Sequence, residues 1–181
     1  LDMADQIGCK MAFFNTGEFD PEDVDKNIQE FKKEYLSYKQ YADERGITLA
    51  CYLGHGGNFV RSREILRKLC EEIPEFNLKV DPVGIMRNMK ADPYEIIKEF
   101  GGKIVHFHAK DIFRYGDDNF EIEPIVGMGD LRWNVMLGML YHHGYDGYIV
   151  IEPHGPIWAK PENRWKAVVL GKRHIEQFMV R

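Results

Sequence analysis

The stretch that most constrains this chain is residues 103–111, Lys-Ile-Val-His-Phe-His-Ala-Lys-Asp. Side chains of a β-strand alternate between two faces. Val105, Phe107 and Ala109 then share one face, and His106, His108 and Lys110 share the other. The first face is apolar and suits packing beneath a layer of helices. The second carries two imidazoles and an ammonium, which are costly to bury without partners. An edge strand with a solvated face satisfies this pattern. So does a strand that lines a polar barrel interior and ends in a metal or catalytic site.

The rest of the chain alternates strand and helix. Residues 1–7 read as a helix end closed by Gly8, and residues 9–14 as a short strand. Asp20-Pro21-Glu22-Asp23 is a helix start, with an acidic cap and proline at the first helical position. Val24, Ile28, Phe31, Tyr35, Tyr38 and Ala42 recur every three or four residues, which predicts the buried face of a long helix ended by Gly46. Residues 47–53 form the next strand and lead into Gly54-His55-Gly56-Gly57-Asn58. Ser62 caps a helix to about residue 73. Residues 76–80 form a strand with Asn77, Lys79 and Asp81 on its polar face, and Asp92 caps a short helix to Phe100. After the central strand, residues 112–129 read as a long loop, of the kind that is usually functional or mobile. Asp130 caps a helix through His143, residues 147–152 form the last strand, 153–161 a loop, and about 162–179 the final helix.

Strands that alternate with helices imply a parallel sheet with crossover helices. A doubly wound open sheet and a (β/α)8 barrel both build sites at the carboxyl ends of strands. The central strands of an open sheet are usually apolar on both faces. Three strands here are not, so the expected fold is an α/β barrel of the (β/α)8 TIM type. That fold takes about 250 residues. Five βα units in 181 residues therefore predict a partial barrel, a single domain over 1–181 with its first units missing. The open edges of such a barrel are sticky, so a homo-oligomer or a partner chain completing the barrel is expected. The net charge of −5 argues against nucleic acid as a partner. No apolar run approaches the ~18 residues of a membrane span. Three cysteines, Cys9, Cys51 and Cys70, with no CxxC, fit a reducing, cytoplasmic setting.

The last inward residues of three strands are Asp81, His108 and Glu152. Two carboxylates and an imidazole at equivalent places in successive units make a ligand set for Mn²⁺, Zn²⁺, Co²⁺ or Fe²⁺. Three ligands leave coordination positions open to substrate or water.

In these residues and their flanking segments the chain resembles the xylose isomerase-like barrels, the sugar phosphate isomerase/epimerase group that is also similar to endonuclease IV. The matching segments are 105–111 (Val-His-Phe-His-Ala-Lys-Asp), Gly127-Met128-Gly129 with Trp133, and 144–152 (Gly-Tyr-Asp-Gly-Tyr-Ile-Val-Ile-Glu). Residues 42–49 and 78–82 agree as well. The resemblance runs from the family's third strand onward; its first two strands have no counterpart here. It implies one divalent ion, Mn²⁺ first, with Zn²⁺, Co²⁺ or Mg²⁺ as alternatives, held by Asp81, His108 and Glu152. It also implies a small sugar or polyol substrate and proton abstraction next to a carbonyl. The family's fourth ligand, a glutamate, falls at Tyr52 or Leu53, neither of them an ordinary ligand. Standard epimerisation uses two carboxylates on opposite faces of the sugar, and only Glu152 matches one of them. That shifts the reading toward a dehydratase or lyase, with a non-catalytic relative and an endonuclease IV-like nuclease as further alternatives.

Around this set, Glu152, His55 and Lys110 are the candidate proton-moving groups. His55 either replaces the lost ligand or is a turn histidine, and Lys110 either polarises a substrate oxygen or is a structural ion pair. Arg114, His154 and His106 are the candidate substrate contacts, with His106 one layer deeper as an orienting group. Arg114 as a solvated loop residue is the competing reading. Trp158 and Trp165 stack on a sugar or pack the last helix.

Overall fold

The computed structural model describes residues 1–17, 23–116 and 120–180. In chain order these form α1 (Asp2–Gln6), β1 (Met11–Phe14), α2 (Val24–Asp43), β2 (Thr48–Leu53), α3 (Arg63–Glu72), β3 (Leu78–Val80) and α4 (Pro82–Gly84). A π-helical turn (Ile85–Met89), α5 (Pro93–Phe100), a 3-10 turn (Gly101–Lys103) and β4 (Ile104–Ala109) follow. The chain continues with β5 (Phe113–Tyr115), β6 (Phe120–Ile122), α6 (Trp133–His142), β7 (Tyr148–Ile151), α7 (Gly155–Trp158) and α8 (Pro161–Glu176).

Five strands pair in parallel in the order β1-β2-β3-β4-β7. This is a half-barrel whose helices cover the outer face. Side-chain caps start α2, α3 and α5. The Asp23 carboxylate accepts from the Lys26 N–H at 2.9 Å, the Ser62 hydroxyl from Ile65 N–H at 3.2 Å and Asp92 from Tyr94 N–H at 2.8 Å. Beneath α2, the rings of Phe14, Phe31, Tyr35 and Phe76 pack with centroids 5.4–6.1 Å apart. Farther along the sheet, Phe107 meets Trp133 edge-on at 6.3 Å, on the side away from the two histidines.

The register determines what the inner face displays. Tyr52 pairs with Lys79, Lys79 with His106, His106 with Tyr148 and His108 with Val150. The inner face therefore carries Tyr52, Lys79, His106, His108, Tyr148 and Val150, continued past the strand ends by Asp81, Lys110 and Glu152. A register shift between Leu78 and Lys79 lies just below this rim, a device that re-aims side chains next to active sites. The sheet has two open edges. Phe13 on β1 and Tyr148 on β7 stay 45% and 78% exposed, where a closed barrel would cover them.

Several expectations need correction. Tyr38 is 54% exposed, because it stands over β1 along a cavity of about 460 Å³ rather than against a neighbouring unit. The stretch 112–129 is not one irregular loop, since Phe113–Tyr115 and Phe120–Ile122 pair as an antiparallel hairpin. Asp130 does not cap α6. Its carboxylate accepts from the Arg114 N–H at 2.8 Å, and α6 starts three residues later. The loop 153–161 contains α7. The Asp20-Pro21 start lies outside the described residues; the cap seen for α2 is Asp23. No helix among the described residues is long and apolar enough to cross a membrane.

Asp111, fully buried just past β4, ties this loop to the barrel. Its carboxylate accepts from the N–H groups of Ile112, Gly127 and Leu131 and from the Trp133 indole, at 2.8–3.2 Å. This accounts for Gly129, where a Cβ would stand 2.2 Å from Asp111 Oδ1. Buried donors deprived of an acceptor lose about 1–3 kcal/mol each. Asp111→Ala should therefore lower the unfolding free energy by about 3 kcal/mol or more, as read from urea unfolding monitored by far-ultraviolet circular dichroism.

Candidate metal centre

Asp81, His108 and Glu152 converge at the carboxyl rim. Each offers a ligand atom, and these atoms lie within 4.8 Å of one another. Asp81 is placed by the start of α4, where its Oδ1 accepts from the Gly84 N–H at 3.1 Å and its backbone carbonyl from the Ile85 N–H. That corner is tightly packed. Gly54, with φ +83°, lies against it so closely that a Cβ would meet Ile85 N at 2.5 Å. Oδ2 of Asp81 accepts from the Tyr52 hydroxyl at 3.2 Å. Glu152 Oε2 meets His108 Nδ1 at 2.6 Å, and its Oε1 lies 3.1 Å from His154 Nε2. The Lys110 ammonium stands between the two acids, 2.8 Å from Asp81 Oδ2 and 2.9 Å from Glu152 Oε2.

The electrostatics follow from these contacts. Burial alone would raise the Glu152 carboxyl, but hydrogen bonds from His108, Lys110 and His154 outweigh it and hold the group well below the usual carboxylate range. Burial likewise pulls Lys110 down, and Asp81 and Glu152 reverse that and hold it above the usual lysine value. Burial, followed by the charges of Asp81 and Glu152, pushes the Tyr52 phenol upward. One layer deeper, His106 is pushed down to about 4 by burial and by His108 and Lys79, so it is neutral. Its Nδ1 has no hydrogen-bond partner, and it meets His108 through an edge-on ring contact at 5.4 Å. Lys79 is buried with no hydrogen-bond acceptor, its Nζ resting 2.7 Å from the centre of the Tyr52 ring.

Other predicted residues lie farther out. His55 is exposed, with Nδ1 turned to the Gly56 carbonyl and its ring 4.9 Å from that of Tyr52. Arg114 sits on β5 and pairs with Glu121 across the hairpin at 2.7 Å. Trp165 is 76% exposed on α8, so it does not pack. Of the two positions open to the fourth ligand, Tyr52 faces the site, while Leu53 is fully buried on the outer face.

Two carboxylates and an imidazole on three strand ends are donors suited to a divalent ion of the Mn²⁺ or Zn²⁺ kind. The residues present fit such an ion, which Asp81, His108 and Glu152 would hold. The xylose isomerase-like TIM barrel description matches residues 1–170. The chain belongs to that family. No curated protein matches it. Among solved structures it is similar to a xylose isomerase domain protein from Planctomyces limnophilus, at 20% identity and TM-score 0.80, covering 98% of this chain and 62% of that one. It is also similar to the IolI protein with a bound zinc atom, at 17% identity and TM-score 0.72, covering 99% and 68%. A third is the probable 3-DHS dehydratase AsbF from Bacillus anthracis, at 13% identity and TM-score 0.74, covering 97% and 66%. The chain thus spans roughly two thirds of the length of these structures, and their likeness shows the fold.

Within this family fold, sequence reasoning missed a second ring of residues. Arg87, on the π-helical turn after Asp81, pairs with Glu121 and Glu123 of the hairpin segment. Glu123 Oε2 faces His154 Nδ1 at 3.5 Å, and His154 reaches Glu152. Glu152 is therefore tied, through His154 and the hairpin segment, to the π-helical turn that follows Asp81. The one sequence signal was Gly116-Asp117-Asp118-Asn119 between two short apolar runs, a hairpin-turn composition. Arg87→Met should loosen this cover. Amide hydrogens of residues 113–116 and 120–122 should exchange about tenfold faster by mass-spectrometric hydrogen exchange, with the central sheet unaffected.

Proposed function

We propose that this chain is a divalent-metal-dependent enzyme that moves a proton next to a carbonyl on a keto-sugar or polyol. The observation that carries the reading is the convergence of Asp81, His108 and Glu152 at the rim where such barrels build their sites. Similar structures support it: a mannonate dehydratase from Streptococcus suis, the probable dehydratase AsbF and a D-tagatose 3-epimerase-like protein. When bound, the ion would polarise substrate carbonyl and hydroxyl oxygens. Glu152 is the base that takes the proton from carbon, with His154 orienting its carboxylate. Manganese is the first choice of ion, and zinc the alternative.

Tyr52 favours a dehydratase or lyase over an epimerase. A phenol stands on the inner face where the family's second carboxylate is expected, and its hydroxyl points at Asp81. A phenol is a proton donor at neutral pH and suits protonation of a departing hydroxyl better than uptake of a proton from carbon. An endonuclease IV-like reading needs a larger ligand set; among the described residues, one group of three such side chains converges. Phe13 and Tyr148 leave both sheet edges uncovered, and in this proposal further barrel strands, of this protein, a second copy or a partner chain, cover them.

Equilibrium dialysis against Mn²⁺ tests the reading. Near-stoichiometric binding is expected, weakened at least about tenfold by Asp81→Ala and by Glu152→Ala. Binding that survives both changes contradicts the assignment. Glu152→Gln should abolish turnover of any keto-sugar or sugar acid that the protein converts, in a coupled or chromatographic assay.

A further inference from the structure

We propose that Lys110 is the built-in cation of this centre, and that a divalent ion enters by displacing its ammonium from between Asp81 and Glu152. The inference rests on the metal reading above and concerns what that ion must replace. Asp81 uses Oδ1 to hold the Gly84 N–H, and Glu152 uses Oε1 toward His154. The oxygens left to face the centre are Asp81 Oδ2 and Glu152 Oε2. Lys110 Nζ lies 2.8 and 2.9 Å from these two, and His108 Nδ1 meets the second at 2.6 Å. The oxygens that face the ion's place are thus the ones the ammonium holds.

Geometry makes Lys110 suited to this role. It follows β4 on the same face as His106 and His108, so its stem runs along the inner wall to the gap between neighbouring strand ends. Its side chain is 10% exposed and that of Asp81 is 3% exposed, so water does little to screen either charge. Two carboxylates drawn this close repel unless a cation separates them. A divalent ion and an ammonium within a few ångströms of each other also repel, so one excludes the other. The other inward lysine does not duplicate the role, because Lys79 Nζ rests on the Tyr52 ring rather than on either acid. Ion binding at this centre is therefore a cation exchange. The ion-free protein is held together by Lys110, and loading frees a flexible ammonium at the open side of the site.

The test is equilibrium dialysis of the chain against Mn²⁺ alone, at fixed pH and ionic strength. Lys110→Met should bind Mn²⁺ at least about tenfold more tightly than wild type, and Lys110→Arg should return to the weaker binding. Thermal melts give a second readout. Lys110→Met should melt below wild type without the ion, and saturating Mn²⁺ should close that gap. Equal or weaker binding by Lys110→Met overturns the displacement. Should that variant fail to fold without ion, the wild-type chain decides. Acylation of Lys110, followed by peptide mass spectrometry, should rise severalfold when Zn²⁺ is added, and unchanged or reduced labelling overturns the proposal. Wild-type binding with no gain in Lys110→Met removes the displacement alone, whereas absence of Mn²⁺ and Zn²⁺ binding in every chain removes the metal reading itself.

Discussion

Two acids from non-adjacent strands, Asp81 and Glu152, are brought so close that one ammonium reaches both. Everything near the rim is arranged around that repulsive pair. His108 lies on the strand between them and meets one acid directly, Tyr52 donates to the other, and Lys110 fills the gap. None of these groups could be buried here alone, since an unpaired charge in a half-dry barrel wall is costly. Together they neutralise one another and leave a compact set of oxygen and nitrogen donors.

The scaffold holds this set through backbone geometry more than through bulk packing. The start of α4 grips Asp81, and the glycine corner at Gly54 lets the end of β2 approach that turn. On the other side, Asp111 gathers three backbone N–H groups and an indole, which closes the loop after β4 onto α6. Above the rim, Arg87, Glu123 and His154 link the hairpin to Glu152. The rim is thus braced from below by the sheet register and from above by a charged cover.

Much of this was legible in residue order. The alternation in 103–111 determines both faces of β4, because a strand's period admits no other arrangement. Asp81 and Glu152 end strands on the same face, so their convergence with His108 follows from parallel pairing. The choice between Tyr52 and Leu53 was not legible, since it depends on register, and the register shift beside Lys79 is a property of the pairing. Arg87, Glu123 and the four-donor role of Asp111 were hidden for another reason. Apart from the bond of Asp111 to the adjacent Ile112 N–H, each acts across 16 to 36 residues of sequence, and nothing local announces the partner. His55 is open in the sequence between a ligand or base and a turn histidine, because a glycine-rich loop does not fix its direction; in space its Nδ1 turns to its own loop and its ring lies beside Tyr52.

The central claim is that one divalent ion is shared by the three strand ends. Anomalous diffraction from crystals soaked in Mn²⁺, recorded at the manganese edge, addresses it without reference to any substrate. The account predicts one strong peak in contact with Asp81, His108 and Glu152, with the Lys110 ammonium moved away from both acids. A peak elsewhere, or no peak in a crystal where Lys110 still bridges the acids, would contradict it.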